Sequence, residues 1–70
     1  MIDMEDYIIR MQDERKELET KWDKLIKYVG KHYDNLDGTE IYLMQQQIKC
    51  MKKYIMFLDA RIDHAKLKEQ

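Results

Sequence analysis

The sequence predicts an all-α fold: a coiled-coil-like antiparallel two-helix hairpin, assembling as a homo-oligomeric helical bundle. Three observations carry this expectation. The 70 residues hold no proline and only two glycines, too few for a many-turned β domain. Two long runs repeat apolar residues at alternating spacings of three and four, the period of one helix face. Both glycines, Gly30 and Gly38, fall in the one stretch between those runs, at the two ends of a single turn.

The first run reads Met4, Ile8, Met11, Arg15, Leu18, Trp22, Leu25 and Val29. It is a heptad seam with one polar member, Arg15. Asp3 is the expected N-cap, with acids filling the first turn, and Gly30 the expected residue just past the helix end. The expected helix spans about 3–29, roughly 40 Å at 1.5 Å per residue. The turn, about 30–38, contains the dipeptides Asp34-Asn35 and Asp37-Gly38, with Leu36 between them folding back over the end of the core. Asp37 or Thr39 caps the second helix, and Asp37 with Glu40 has capping-box spacing. That helix, about 39–66, carries the seam Ile41, Met44, Ile48, Met51, Ile55, Leu58, Ile62 and Ala65, with fraying expected over Lys68–Gln70. Antiparallel pairing sets Ile8 near Ile62, Met11 near Leu58, Leu18 near Met51, Trp22 near Ile48 and Leu25 near Met44. The chain reads as a single helical-hairpin domain over 1–70.

Charge and size narrow the function. Thirteen basic and fourteen acidic residues give a net charge of −1, without the basic excess of a nucleic-acid-binding module. Residues 1–30 net −2 and residues 39–70 net +2, which favours antiparallel pairing of the helices and head-to-tail association. A single cysteine, Cys50, excludes a disulfide scaffold and suits a reducing compartment. The longest uncharged stretch, Ile41 to Ile48, is far short of the ~20 apolar residues of a membrane span. The acidic start lacks the features of a signal peptide, so the expected location is the cytoplasm. At this length a lone core rarely supplies more than about 3–5 kcal/mol. With neither disulfide nor metal motif to assist, oligomerisation is the expected support.

The second helix carries a surplus stripe, Leu43, Gln47, Cys50, Tyr54, Phe57 and Arg61, again spaced four and three. Leu43, Cys50, Tyr54 and Phe57 are therefore the expected oligomer interface. No catalytic motif, metal-ligand set or cofactor signature is present: His32 and His64 fall at opposite ends of the hairpin as solvated residues, and Cys50 reads as a small interface hydrophobe. Arg15 reads as a snorkelling residue paired with Asp or Glu, or as an anion holder inside an oligomer. Lys49, Lys52 and Lys53 beside Tyr54 read as a solvated face or as phosphate contacts with a stacking ring. Arg10 and Arg61 reach the open end together, where two guanidinium groups form an anion fork or pair with Asp13, Glu14 or Asp59. Trp22 reads as core; Tyr7, Tyr28, Tyr33, Tyr42 and Tyr54 lie off the seam, as interface or stacking residues.

The order Arg10-x3-Glu14-x2-Glu17-Leu18, a loop with an aromatic and Leu36, then Glu40-x2-Leu43-x3-Gln47-x3-Met51-x2-Tyr54-x3-Leu58-x2-Arg61-Ile62 resembles a family of small phage proteins first catalogued in crAss-like bacteriophages. The resemblance covers about residues 10–62. His32-Tyr33 departs from that family's Lys-Phe-like pair. Such proteins are similar in architecture to the helical-hairpin anti-defence sponges of phages. The resemblance implies a non-enzymatic homo-oligomer in the cytoplasm of a bacterial host cell, needing no cofactor. It would bind a nucleotide second messenger, of cyclic oligonucleotide or cyclic ADP-ribose type, between subunits and without cleavage. Arg10, Arg15, Lys49, Lys53 and Arg61 would hold phosphate or ribose, and Tyr54 or Tyr7 would stack on a base. Neither a membrane nor a nucleic acid polymer is expected as a partner. The alternative is an oligomeric coiled-coil adaptor that docks a host or phage protein through the surplus stripe.

Overall fold

In a computed structural model, which describes residues 4–69, the chain is two long helices joined by a short connection. Helix α1 spans Met4–His32, a 3-10 turn spans Tyr33–Asn35, and helix α2 spans Gly38–Glu69. The helices pack against each other as an antiparallel hairpin 51 Å long and 17 by 14 Å across.

The heptad seams are the contact. Ile8, Met11 and Val29 of α1 are buried, as are Ile55, Leu58, Ile62 and Ala65 of α2. The remaining seam residues from Leu18 to Leu25 and from Ile41 to Met51 are half-buried. The core is therefore best closed at the open end, where Ile8, Met11, Ile62 and Ala65 form one cluster. The expected register is present: Ile8 clusters with Ile62, and the Trp22 indole N–H donates to the Ile48 carbonyl at 3.2 Å. Trp22 is half-buried rather than enclosed, and its polar edge is satisfied by α2.

The helix ends differ from the sequence expectation. Asp3, the expected cap of α1, lies outside the described residues, as does Gln70. Gly30 does not end α1. It sits inside the helix without the positive φ of a C′ glycine. The helix continues because burial of Val29 and the Tyr28–His32 ring contact, 4.4 Å between centroids, hold another turn together. Lys31 and His32 then occupy the last turn, where cations suit the negative end of the helix dipole. His32 is half-buried against Tyr28 rather than solvated. Likewise α2 runs past residue 66 to Glu69.

Because a Cβ at Gly30 would meet nothing within 4 Å, Gly30→Ala is expected to stabilise the fold by roughly 0.5–1 kcal/mol, mainly by restricting the unfolded chain. A thermal melt followed by circular dichroism checks this.

The start of α2 follows the sequence closely. Asp37 Oδ1 accepts the Glu40 N–H at 2.7 Å, and the Asp37 carbonyl accepts the Ile41 N–H at 3.0 Å. Asp37, not Thr39, is thus the N-cap, an interaction worth about 1 kcal/mol. Half-buried Leu36 precedes it with extended backbone, its N–H turned back to the Tyr33 carbonyl. The Glu40 carboxyl is held above its ordinary pKa, first by a side-chain hydrogen bond with Asp37 and then by the charge of that group. A carboxyl raised in the folded state contributes stability below its unfolded pKa and loses it as pH rises through the folded value. Glu40→Gln is therefore expected to raise the melting midpoint at pH 7 and to leave it nearly unchanged at pH 3.

Candidate functional site

Arg61 is the centre of the most convergent cluster. It lies on α2 one position before the buried Ile62, which places it about 100° around the helix from the seam. Its guanidinium donates to the Tyr7 hydroxyl and rests 5.8 Å from the Tyr7 ring centroid, within cation–π range. Tyr7 occupies the early part of α1, so the antiparallel register sets the two side by side at the open end.

Two shallow depressions flank this arginine. One, of about 200 Å³, is lined by Tyr54, Phe57, Leu58 and Arg61. The other, of about 170 Å³, is lined by Tyr7, Arg61, His64, Ala65 and Lys68. On the first side, the Tyr54 hydroxyl donates to the Glu14 carboxylate. That bond, then the carboxylate's charge, raises the Tyr54 pKa, so the phenol stays protonated and remains a donor. The Arg61 pKa is raised first by its bond to Tyr7, so its charge is permanent. The result is a fixed cation against the Tyr7 ring, beside a depression that Tyr54 also lines, with the Glu14 carboxylate on the Tyr54 hydroxyl. Such a surface can hold an anion on the guanidinium and stack a planar ring beside it.

The other expected contacts are distributed differently. Arg15 does not join this cluster. Its guanidinium donates to Asp59 and to Glu19, which raise its pKa, Asp59 first. Asp59 is two residues from Arg61 and so points about 160° away around α2. Arg15 is thus the carboxylate-paired member of the seam, at its margin opposite the Arg61 cluster. Arg10 is exposed on α1, three residues beyond Tyr7, and makes no hydrogen bond or ion pair among the described residues. Neither Asp59 nor Asp13 takes Arg61. Lys49 and Lys53 are exposed and face about 100° further round α2 than Cys50 and Tyr54. Within one chain they are separate from Arg61. Lys53 instead lines a depression of about 370 Å³ with Met56, Phe57 and Ala60.

The surplus stripe is open to solvent in the single chain: Leu43 is 58% exposed, Tyr54 47% and Phe57 69%, and Cys50 is exposed as a free thiol. Two members of the Arg61 cluster, His64 and Lys68, were not singled out in the sequence as part of a site. Their spacing from Arg61, three and seven residues, is the signal that links them.

Among the described residues, no three His, Cys, Asp or Glu side chains converge as a metal site, and no helix is long and apolar enough to cross a membrane. Comparisons with curated proteins and with solved structures find no match. A family match does exist, over residues 5–64. It runs from the first turn of α1 to His64, across both seams and through Tyr7, Glu14, Tyr54, Phe57 and Arg61, and on that span the chain belongs to the Sequestin family.

Proposed function

We propose that this protein is a non-enzymatic sponge, encoded by a phage, that sequesters a nucleotide second messenger in the cytoplasm of the bacterial host. The ligand class is a cyclic oligonucleotide or a cyclic ADP-ribose derivative, held uncleaved between subunits of a homo-oligomer. The observation that carries this reading is Arg61, a fixed cation against the Tyr7 ring that shares an open depression with Tyr54. A guanidinium suits a phosphate and an adjacent aromatic face suits a base. The name of the Sequestin family points the same way, towards holding a ligand rather than converting it.

In this reading Arg61 and the exposed Arg10 take phosphate, Tyr7 and Tyr54 stack, and Lys49 and Lys53 complete the site from a neighbouring copy. Arg15 contributes only if a ligand anion replaces Asp59 or Glu19. Both depressions are small and shallow, whereas small-molecule sites bury most of their ligand; a second subunit supplies the missing wall.

Calorimetric titration of the purified protein with cyclic di- and trinucleotides and with cyclic ADP-ribose isomers tests the proposal. Heat with one of them, and its recovery intact on release, is the expected result. No heat with any of them from a folded protein would overturn it. The exposed stripe of Leu43, Cys50, Tyr54 and Phe57 favours a second reading, an oligomeric adaptor for a host or phage protein. A stoichiometric protein partner, with no small molecule retained, would select that reading instead.

A further inference from the structure

One exposed face of α2 changes character at Phe57. Residues spaced by three and four share a helix face. Going back from Phe57, this face reads Tyr54, Cys50, Gln47 and Leu43, none of them charged. Going forward it reads Arg61, His64 and Lys68, every one a basic side chain. All of these residues are exposed. The two depressions beside Arg61 divide at the same place. The one towards Tyr54 is lined by two rings, Leu58 and the guanidinium. The one towards Lys68 is lined by the three basic residues with Tyr7 and Ala65, and by no acid. Acids slightly outnumber bases in the whole chain, so three consecutive basic positions on one face make a locally positive strip.

Helix α1 adds a matching polarity. Two bonds cross between it and this face: Tyr54 donates to Glu14, and Arg61 donates to Tyr7. Tyr7 and Glu14 are seven residues apart, as are Tyr54 and Arg61. The two bonds are therefore rungs about 10 Å apart along the hairpin, at 1.5 Å per residue. The first rung carries a carboxylate and the second a guanidinium. Phe57 lies between them in sequence and is 69% exposed. From the Glu14 rung to Lys68 the face thus runs from acceptor, through aromatic rings, to cations.

We infer that this face reads its ligand in one direction, with a nucleobase on Tyr54 and Phe57 and two consecutive phosphates on Arg61, His64 and Lys68. This rests on the nucleotide reading above and is independent of subunit number. An exocyclic N–H of the base donates to the Glu14 carboxylate, whose charge repels phosphate from that end. The Phe57 ring supplies a stacking platform. At the other end Arg61 forks onto one phosphate. The His64 imidazole, about 4.5 Å further along α2, and the Lys68 ammonium on its flexible stem take the next.

Contiguity of charge is what the arrangement selects. In a diphosphate the two anionic groups are neighbours and lie on one side of the nucleoside. In a cyclic oligonucleotide a sugar separates successive phosphates, and each nucleoside carries one on either side. The second anion would then fall towards Glu14 and Cys50, where this face offers a carboxylate and no cation. Of the two ligand classes proposed above, the face fits the cyclic ADP-ribose type, which holds a pyrophosphate.

Calorimetry on the intact protein with cyclic ADP-ribose and with cyclic di-AMP tests this, because the two ligands carry the same charge in different arrangements. Cyclic ADP-ribose is expected to bind more tightly, by about tenfold or more. Lys68→Gln and His64→Gln should each weaken it roughly tenfold, the lower end for a hydrogen bond to a charged group. Neither should alter any binding of cyclic di-AMP. Lys24→Gln, which removes a charge beside Lys16 and Thr20 elsewhere on α1, should change neither ligand. Circular dichroism confirms that each variant folds. Equal or tighter binding of cyclic di-AMP, or full affinity for cyclic ADP-ribose in both Lys68→Gln and His64→Gln, would overturn this inference and leave the nucleotide sponge standing. No heat with any nucleotide would remove the sponge and this inference together.

Discussion

Leu58→Ala is expected to be the most damaging single truncation in the chain. Leu58 is 1% exposed, the most enclosed side chain among the described residues, and it lies on the seam next to the cluster of Ile8, Met11, Ile62 and Ala65. Removing three buried carbons costs the lost transfer energy together with the cavity left behind, about 2–5 kcal/mol. A core of this size supplies only about 3–5 kcal/mol, so the substitution removes most of the stability of an isolated hairpin. At roughly 4–8 °C per kcal/mol for a domain of this length, the midpoint should fall by more than about 10 °C. Thermal melts at several protein concentrations separate this from an assembly effect. Leu58→Ala should lower the midpoint at every concentration. Phe57→Ala, one residue away and 69% exposed, should act mainly where copies associate. Equal, concentration-independent effects of the two would contradict the packing described above.

The second large effect is on ligand binding. Arg61→Ala should weaken the nucleotide ligand by roughly ten- to a hundredfold, the loss typical of a charge-assisted hydrogen bond. The fold should tolerate it, because Arg61 is exposed and its guanidinium is bonded to the Tyr7 hydroxyl, itself on an exposed residue. Arg61→Lys should recover only part of the affinity: an ammonium keeps the charge but neither forks onto a phosphate nor lies flat against a ring. Tyr7→Phe separates the two roles of its partner, since it removes the hydroxyl that orients Arg61 and keeps the stacking face. Calorimetry of each variant, with circular dichroism to confirm folding, reads these losses directly. An unchanged affinity in Arg61→Ala would move the site away from this cluster.

The two substitutions bracket what was legible in the residues. Leu58 belonged to a seam visible as spacing alone, because a helix repeats every 3.6 residues and a buried face must repeat with it. The Asp37 cap was legible for a similar reason: a short acceptor three residues before Glu40 satisfies an orphan N–H wherever the helix lies. Gly30 misled, because glycine permits a left-handed stop without requiring one. Packing around Val29 and the Tyr28–His32 contact carried α1 onward.

The sequence by itself therefore determined the two helices, their seams and the antiparallel register, and narrowed the cap between them to Asp37 or Thr39. These are local or periodic properties, set by each residue and its neighbours three and four away. The tertiary structure decided which arginine is committed and which is presented. Arg15 and Arg61 are both cations on amphipathic helices, and both had acidic residues within reach. Only the placement of α1 against α2 adds Asp59 to the Glu19 that Arg15 reaches within its own helix, and leaves Arg61 against Tyr7 on the open face. The physical reason is angular. One residue turns a helix by about 100°, so the partner of a charged side chain depends on how the two helices are rotated against each other, and that rotation is fixed by packing across the seam.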